Sequence, residues 1–449
     1  MKKLFALMLA VVMVVSMAAC GAKEEPAAEA PATEAPAAAE TEAPAAEAPA
    51  AAGSVYYLNF KPEADTAWQE LAKVYTEQTG VKVKVVTAAS GTYGETLTAE
   101  MGKEAAPTLF QCGNLAALNE WKDYCLPLDG TDLLNEMTTE DFNLKQDGKT
   151  YSVGYCYEAF GIIVNKALLE KAGHSIDEIV DFASLKAVAE DITARKDELG
   201  FSAFSSAGLD GSSSWRFSGH LANMPLYYQG VNADSATITS EYLDCYKNIW
   251  DLYINNTTCD AKELGPKTGD ESEAEFGQGK AAFYQNGSWE FAALTGEEKG
   301  FKMNPDDLAM IPIYCGAKDE QNAGLCCGTE NCWAVNAKAS AEDQQATLDF
   351  LKWVVTSDEG TKMMAEQFGP IPFKAAKEST NVFFNDANRM MADGKYTVTW
   401  AFNYTPNVDA WRQGGVDTLM AYTTAGGSWD DVVTAFVDGW ATEWAVQNG

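Results

Sequence analysis

From residue 54 onward the apolar positions of this chain switch between two periods. Residues 55–60 form a short apolar run suited to a buried strand. In 65–79, Trp68, Leu71, Val74 and Tyr75 fall on one helical face, and Gly80 stops the helix. Residues 81–85 alternate Val and Lys as a further strand. A Ser-Gly-Thr-Tyr-Gly loop at 90–94 leads into a helix carrying Leu97 and Met101, and 107–110 begins a third strand. Strand, helix, strand order predicts an α/β fold with parallel sheets flanked by helices. Ligands of such sheets lie beyond the carboxyl ends of the strands, which nominates Ser90 and Asn114. For the loop serines and threonines, Ser90 among them, helix capping is the competing role.

Residues 151–166 are long for one strand, and Glu158 interrupts an apolar run. A carboxylate there is costly to bury unless it is hydrogen-bonded or opens on a cleft, so Glu158 is the leading polar candidate. In 276–290 a helix ends at Gly-Gln-Gly, a buried strand follows from Ala281, and Asn286-Gly287 turns the chain into Ser288 and Trp289. An indole at the mouth of a sheet suits the flat apolar face of a ligand, although a core tryptophan fits equally well. Two aromatic-rich stretches add Trp215, in 210–228, and Trp400, Asn403, Tyr404 and Trp411, in 400–411; core packing is the competing role for each aromatic. Ser340 and Ser357 are placed to cap two successive late helices that end at Gly369, and 429–444 has a helical apolar stripe suited to packing.

The first twenty residues are an address. Lys2 and Lys3 precede an apolar run from 4 to 15 that is too short for a permanent span, and Ser-Met-Ala-Ala-Cys follows, resembling a bacterial lipobox. That resemblance implies cleavage before Cys20 and its lipidation, with 1–19 as signal peptide. Residues 20–53 then form a tether of Ala, Glu, Pro and Thr too poor in apolar side chains to fold. With a formal net charge of −33 the chain is unsuited to nucleic acid. Ten cysteines leave nine beyond Cys20, an odd number, so at least one thiol is unpaired. The cysteine spacing and two histidines give no metal-site pattern, no cofactor is expected, and neither a Gly-x-Ser-x-Gly elbow nor a P-loop is present.

Four stretches carry a family resemblance. Residues 68–86 are similar to Trp-x-x-Leu-Ala-x-x-Tyr-x-x-x-Thr-Gly-Val-x-Val, 155–166 place a glutamate before apolar residues and Asn-Lys, 276–289 match Phe-x-x-Gly-x-Ala-Ala-(Met/Phe)-x-x-x-Gly-x-Trp, and 348–372 look like a late helix pair. Together they resemble the extracellular solute-binding proteins of bacterial ABC importers, in the sugar-binding group that includes the maltodextrin-binding proteins. The resemblance implies a two-lobed, type II periplasmic-binding-protein-like fold with hinge crossings. Lobe one would be 54–157 and 313–356, and lobe two 158–312 and 357–449, with 310–314 as the second crossing and Cys156 and Cys315 near each other. Glu158 would hydrogen-bond sugar hydroxyls and Trp289 would stack on a pyranose. The implied partners are a mono- or oligosaccharide, transporter permease subunits and, through Cys20, the outer face of a Gram-positive-type membrane; the protein would be a monomer and not an enzyme. The alternatives are a secreted glycan-acting enzyme, or a binding protein for a peptide or polyamine.

Overall fold

The computed structural model describes residues 53–448; the signal, Cys20 and nearly all of the tether lie outside the described residues. Twelve strands are described: β1 (Val55–Asn59), β2 (Val83–Thr87), β3 (Leu109–Gln111), β4 (Leu144–Gln146), β5 (Lys149–Gly154), β6 (Glu158–Asn165), β7 (Ser202–Phe204), β8 (Ala281–Gly287), β9 (Leu308–Ile311), β10 (Ala323–Gly328), β11 (Cys332–Val335) and β12 (Tyr396–Thr399). They form two six-stranded sheets. The first has the order β2-β1-β3-β11-β5-β4, the second β12-β10-β6-β8-β7 with β9 also on β6. Parallel pairing holds for β1 with β2 and with β3, as the opening strand and helix order predicts. The strands that carry the chain from one sheet to the other pair antiparallel: β11 with β3 and β5, and β6 with β8, β9 and β10. Both sheets are therefore mixed.

The long apolar run 151–166 is two strands. β5 closes in the first sheet, Tyr155, Cys156 and Tyr157 pass between the sheets, and β6 opens the second with Glu158 as its first residue. Residues 310–314 do not make the return crossing. β9 stays in the second sheet, and the chain returns through Thr329, Glu330 and Asn331, between β10 and β11. The two crossings touch, with the Tyr155 N–H donating to the Asn331 carbonyl at 2.9 Å.

Each sheet has its own core. In the first, Trp68 on the helix Asp65–Thr79 meets Tyr57 at 5.1 Å, Phe368 at 6.0 Å and Trp333 at 6.1 Å, and the helices Ala341–Thr356 and Asp358–Gln367 pack there too. Ser340 and Ser357 cap those two helices through the N–H groups of Asp343 and Gly360. The first-sheet core extends to Phe373, well past residue 356, and the chain rejoins the second body at the helix Val382–Ala392, whose Phe383 packs beside β9 and β10. Cys315 lies beside Cys245, while Cys156 sits beneath Lys61 and Glu158, so the approach expected of Cys156 and Cys315 does not occur. The nine described cysteines are all unpaired.

Trp68→Ala should remove the ring on which the first core converges. It should lower the free energy of guanidinium unfolding by about 3–5 kcal/mol, read by far-UV circular dichroism.

Candidate functional site

Between the two sheets lies a cavity of about 730 Å³. Its floor is set by the turn after β1. Asn59 accepts from the Lys61 N–H at 3.0 Å and donates to the Lys61 carbonyl at 2.7 Å, which directs the lysine inward. Lys61 is 6 % exposed and Glu158 4 %, and Lys61 Nζ donates to Glu158 Oε1 at 2.8 Å, with Glu63 Oε1 at 3.4 Å. Burial pushes the lysine pKa down, but Glu158 and then Glu63 raise it by more, and the net shift is upward. The ammonium also lies 4.8 Å from the centroid of Trp289. A group from the first body thus binds the carboxylate and the ring that open two segments of the second.

Trp289 is held from several sides. The Ser288 N–H donates to the Ala159 carbonyl at 2.7 Å, Ser288 Oγ accepts from the Ala159 N–H at 3.2 Å, and Asn381 Nδ2 donates to the Ser288 carbonyl at 2.7 Å. The expected turn at Asn286-Gly287 falls later, because β8 runs through Gly287 and the chain turns at Ser288 and Trp289. Gly287 is required at this point: a Cβ there would overlap the six-membered ring of Trp289.

Of the sequence-derived candidates, Ser90, Asn114, Glu158, Trp215, Trp289 and Trp400 line the cavity together. Trp215 donates Nε1–H to the Ser212 carbonyl at 2.9 Å and lies 6.0 Å from Trp289. Trp400 stacks on Phe402 at 5.3 Å and sits 5.4 Å from Phe160. Asn114 also caps a helix, accepting from the Ala117 N–H at 2.8 Å at the start of the helix Leu115–Trp121. Ser90 spans the cavity edge instead, with Oγ donating to the Ser212 carbonyl at 2.8 Å. Beside it Gly91, with φ 76°, brings its backbone against that of Gly211, and a Cβ at Gly91 would overlap the Gly211 carbonyl.

Three candidates fall outside the cavity. Trp411 is core: its ring meets Phe436 at 4.9 Å and Trp440 at 5.6 Å, and Nε1–H donates to the Phe436 carbonyl at 2.9 Å. On the same helix, Val408–Thr423, the neighbouring face carries Val408, Asp409 and Arg412 into the cavity. Asn403 donates to the Thr329 carbonyl at 3.2 Å, bracing the return crossing, and Tyr404 is 39 % exposed at the surface.

Sequence reasoning passed over Lys61, His220, Phe402, Glu330 and Arg412, all of which line the cavity. Lys61 was findable, since it lies just past the carboxyl end of β1. The charged lining is unbalanced, with Glu63, Glu120, Glu158, Glu330 and Asp409 against Lys61 and Arg412. Burial raises the Glu330 carboxyl, opposed by Arg412, and burial together with the charge of Asp409 raises Glu120. Just behind the cavity, burial and then the charges of Glu273 and Glu63 hold the Glu290 carboxyl well above the usual range. Among the described residues there is no group of three or more His, Cys, Asp or Glu side chains able to hold a metal ion.

The sequence profile of the bacterial extracellular solute-binding protein family matches residues 70–392. The chain belongs to that family. This solute-binding protein is also similar in fold to solved structures. It shares 18 % identity with the solute-binding protein RafE in complex with raffinose, over 87 % of this chain and 99 % of that one, at a TM-score of 0.68; an unliganded RafE structure is from Streptococcus pneumoniae. With the GacH receptor of Streptomyces glaucescens the identity is 20 %, over 88 % and 99 % of the two chains, at 0.63. With a mannobiose-bound binding protein of an ABC transporter from Bifidobacterium animalis subsp. lactis it is 16 %, over 88 % and 95 %, at 0.61. No curated protein matches the chain. The shared fold is the two-lobed one, and the two sheets of the solute-binding protein are the centres of its lobes.

Lys61→Met should cost about 3–5 kcal/mol of unfolding free energy, because it strands a buried carboxylate, and adding Glu158→Gln to it should recover most of that loss in urea titrations. For Glu290 the folded-state pKa lies above the unfolded one, so the native chain holds the extra proton between them and stability falls as pH rises above about 4.3. Guanidinium midpoints should therefore decline less steeply between about pH 5 and 8 in Glu290→Gln than in the parent.

Proposed function

We propose that this solute-binding protein captures a carbohydrate in the cavity between its lobes and delivers it to an ABC transporter. The observation that carries the reading is the pairing of surfaces in one cavity: the rings of Trp215, Trp289, Trp400 and Phe402 beside the carboxylates of Glu158, Glu330 and Asp409. A pyranose has apolar C–H faces and a rim of hydroxyl groups, so it needs rings for the first and hydrogen-bonding groups for the second. Two of the structures it resembles hold raffinose and mannobiose, which supports the same class of ligand here. Lys61 takes Glu158 Oε1, and the second oxygen serves the hydroxyl rim. Asn114 and Ser90 contribute from lobe one.

In this reading lobe one is 54–157 with 330–373, and lobe two is 158–328 with 382–448. The boundaries at 313 and 357 move because β10 pairs with β6 and because Phe368 and Phe373 pack with Trp68. The chain acts as a monomer held at the outer face of the membrane through a lipid on Cys20. Among the described residues no helix is long and apolar enough to cross a membrane. The role is binding without catalysis. The excess of carboxylates gives a polyamine ligand a specific argument of its own, so spermidine belongs in the test beside the sugars.

Thermal unfolding of residues 54–449 with raffinose, mannobiose, xylotriose, maltotriose, spermidine and a short peptide tests the proposal. A true ligand at about a hundred times its dissociation constant should add roughly 2.7 kcal/mol of stability. A shift with spermidine or the peptide and none with any sugar would overturn the carbohydrate reading, and newly released reducing ends would show an enzyme. For the sugar that binds, Trp289→Ala should weaken affinity by about tenfold or more.

A further inference from the structure

His220 lies in the π-helical turn Arg216–Leu221, is 4 % exposed and lines the cavity. Its ring stacks on Phe160 at 3.9 Å with an interplanar angle of 9°. Trp215 meets it edge-on at 5.0 Å and Trp289 lies 5.5 Å away, so the imidazole sits among the rings that face the solute. Nδ1 is turned toward β8, where Gln285 Nε2 lies at 2.9 Å. The same amide nitrogen is 3.4 Å from the Gly161 carbonyl, an acceptor that requires an N–H and so orients the amide. An amide N–H can only donate, and Nδ1 therefore carries no proton. A neutral imidazole in that state keeps its proton on Nε2. Among the described residues Nε2 has no hydrogen-bond partner.

We propose that His220 presents Nε2–H to the cavity and donates it to an oxygen of the bound solute, making it a ligand-contacting residue that selects for an acceptor at that point. The kind of acceptor, a hydroxyl or ring oxygen, rests on the carbohydrate reading. The supports behind the ring serve this role. Arg216 is fully buried and donates to the Gln285 carbonyl at 2.8 Å and to the Ala207 carbonyl at 3.0 Å, tying the turn that carries Trp215 and His220 to the strand that leads to Trp289. Burial first, and then the positive charges of Arg216, Arg412 and Lys61, hold the imidazole pKa well below its ordinary value. Where the neighbouring carboxylates of Glu158 and Glu330 accept, His220 donates without a charge.

The test uses residues 54–449 with ¹⁵N-labelled histidine; only His174 and His220 contribute, and His174→Gln identifies them. Raffinose, mannobiose, xylotriose and maltotriose are titrated in, with tryptophan fluorescence as an independent measure of binding. The expected result is a neutral Nε2–H tautomer without sugar, and an Nε2 resonance that moves with the sugar that quenches fluorescence. His220→Gln, which can place an N–H near the Nε2 position, should keep affinity within about threefold, whereas His220→Asn and His220→Phe should lose about tenfold or more. A protonated or Nδ1–H ring overturns the proposal. So does a sugar that binds without moving Nε2, or an equal loss in the Gln and Asn variants; in both cases the carbohydrate reading stands. If no sugar quenches fluorescence, the carbohydrate reading falls and this assignment falls with it.

Discussion

The buried ion pair between Lys61 and Glu158 is the contact on which the cleft depends. A carboxylate at the first residue of a central strand would be expelled from so dry a place without its cation, and the lysine would be expelled without its anion. Because the two come from different lobes, the pair fixes more than its own geometry. It holds the turn after β1 against the outward crossing, and the same ammonium lies over Trp289, which β8 delivers. Three chain segments far apart in sequence meet at one positive charge. Such pairs add little net stability over an apolar replacement, and their value lies in admitting one arrangement of partners.

Around that point the site is organised in layers. Ser288 and Asn381 lock the backbone beneath Trp289, Gln285 and Arg216 set the ring of His220, and the rings in turn face the open volume. Groups that line the cavity are therefore positioned by groups behind them, and those supports sit on strands and their immediate continuations. The carboxylates differ in character. Glu158 is neutralised by its partner, whereas Glu120 and Asp409 repel one another across the far end of the cleft.

Much of this was legible in the sequence, for identifiable reasons. Glu158 stood out because a charge in an apolar run must be explained, and Trp289 because glycine on each side of a short strand left it at a sheet mouth. The helices after Ser340 and Ser357 were marked by their caps. What the sequence hid was helical phase and chain path. Trp411 and Arg412 are neighbours, and only the packing of Phe436 and Trp440 decides that the tryptophan turns inward and the arginine to the cleft. Residues 310–314 have the apolar character of a crossing strand, but pairing of β9 with β6 keeps them in the second lobe. His220 gave no signal, since a histidine in an aromatic stretch reads as packing until its hydrogen-bond partner is known.

The edge of the cleft at Gly91 and Gly211 is built from bare backbone, joined by the single Ser90 hydroxyl. At that point the two bodies meet through backbone and one hydroxyl, whereas the crossings are tied by the Tyr155 N–H to the Asn331 carbonyl. The rim behaves as a light door on a stiff frame. A rim of this kind can part without repacking either core, because each core is closed within its own sheet and helices.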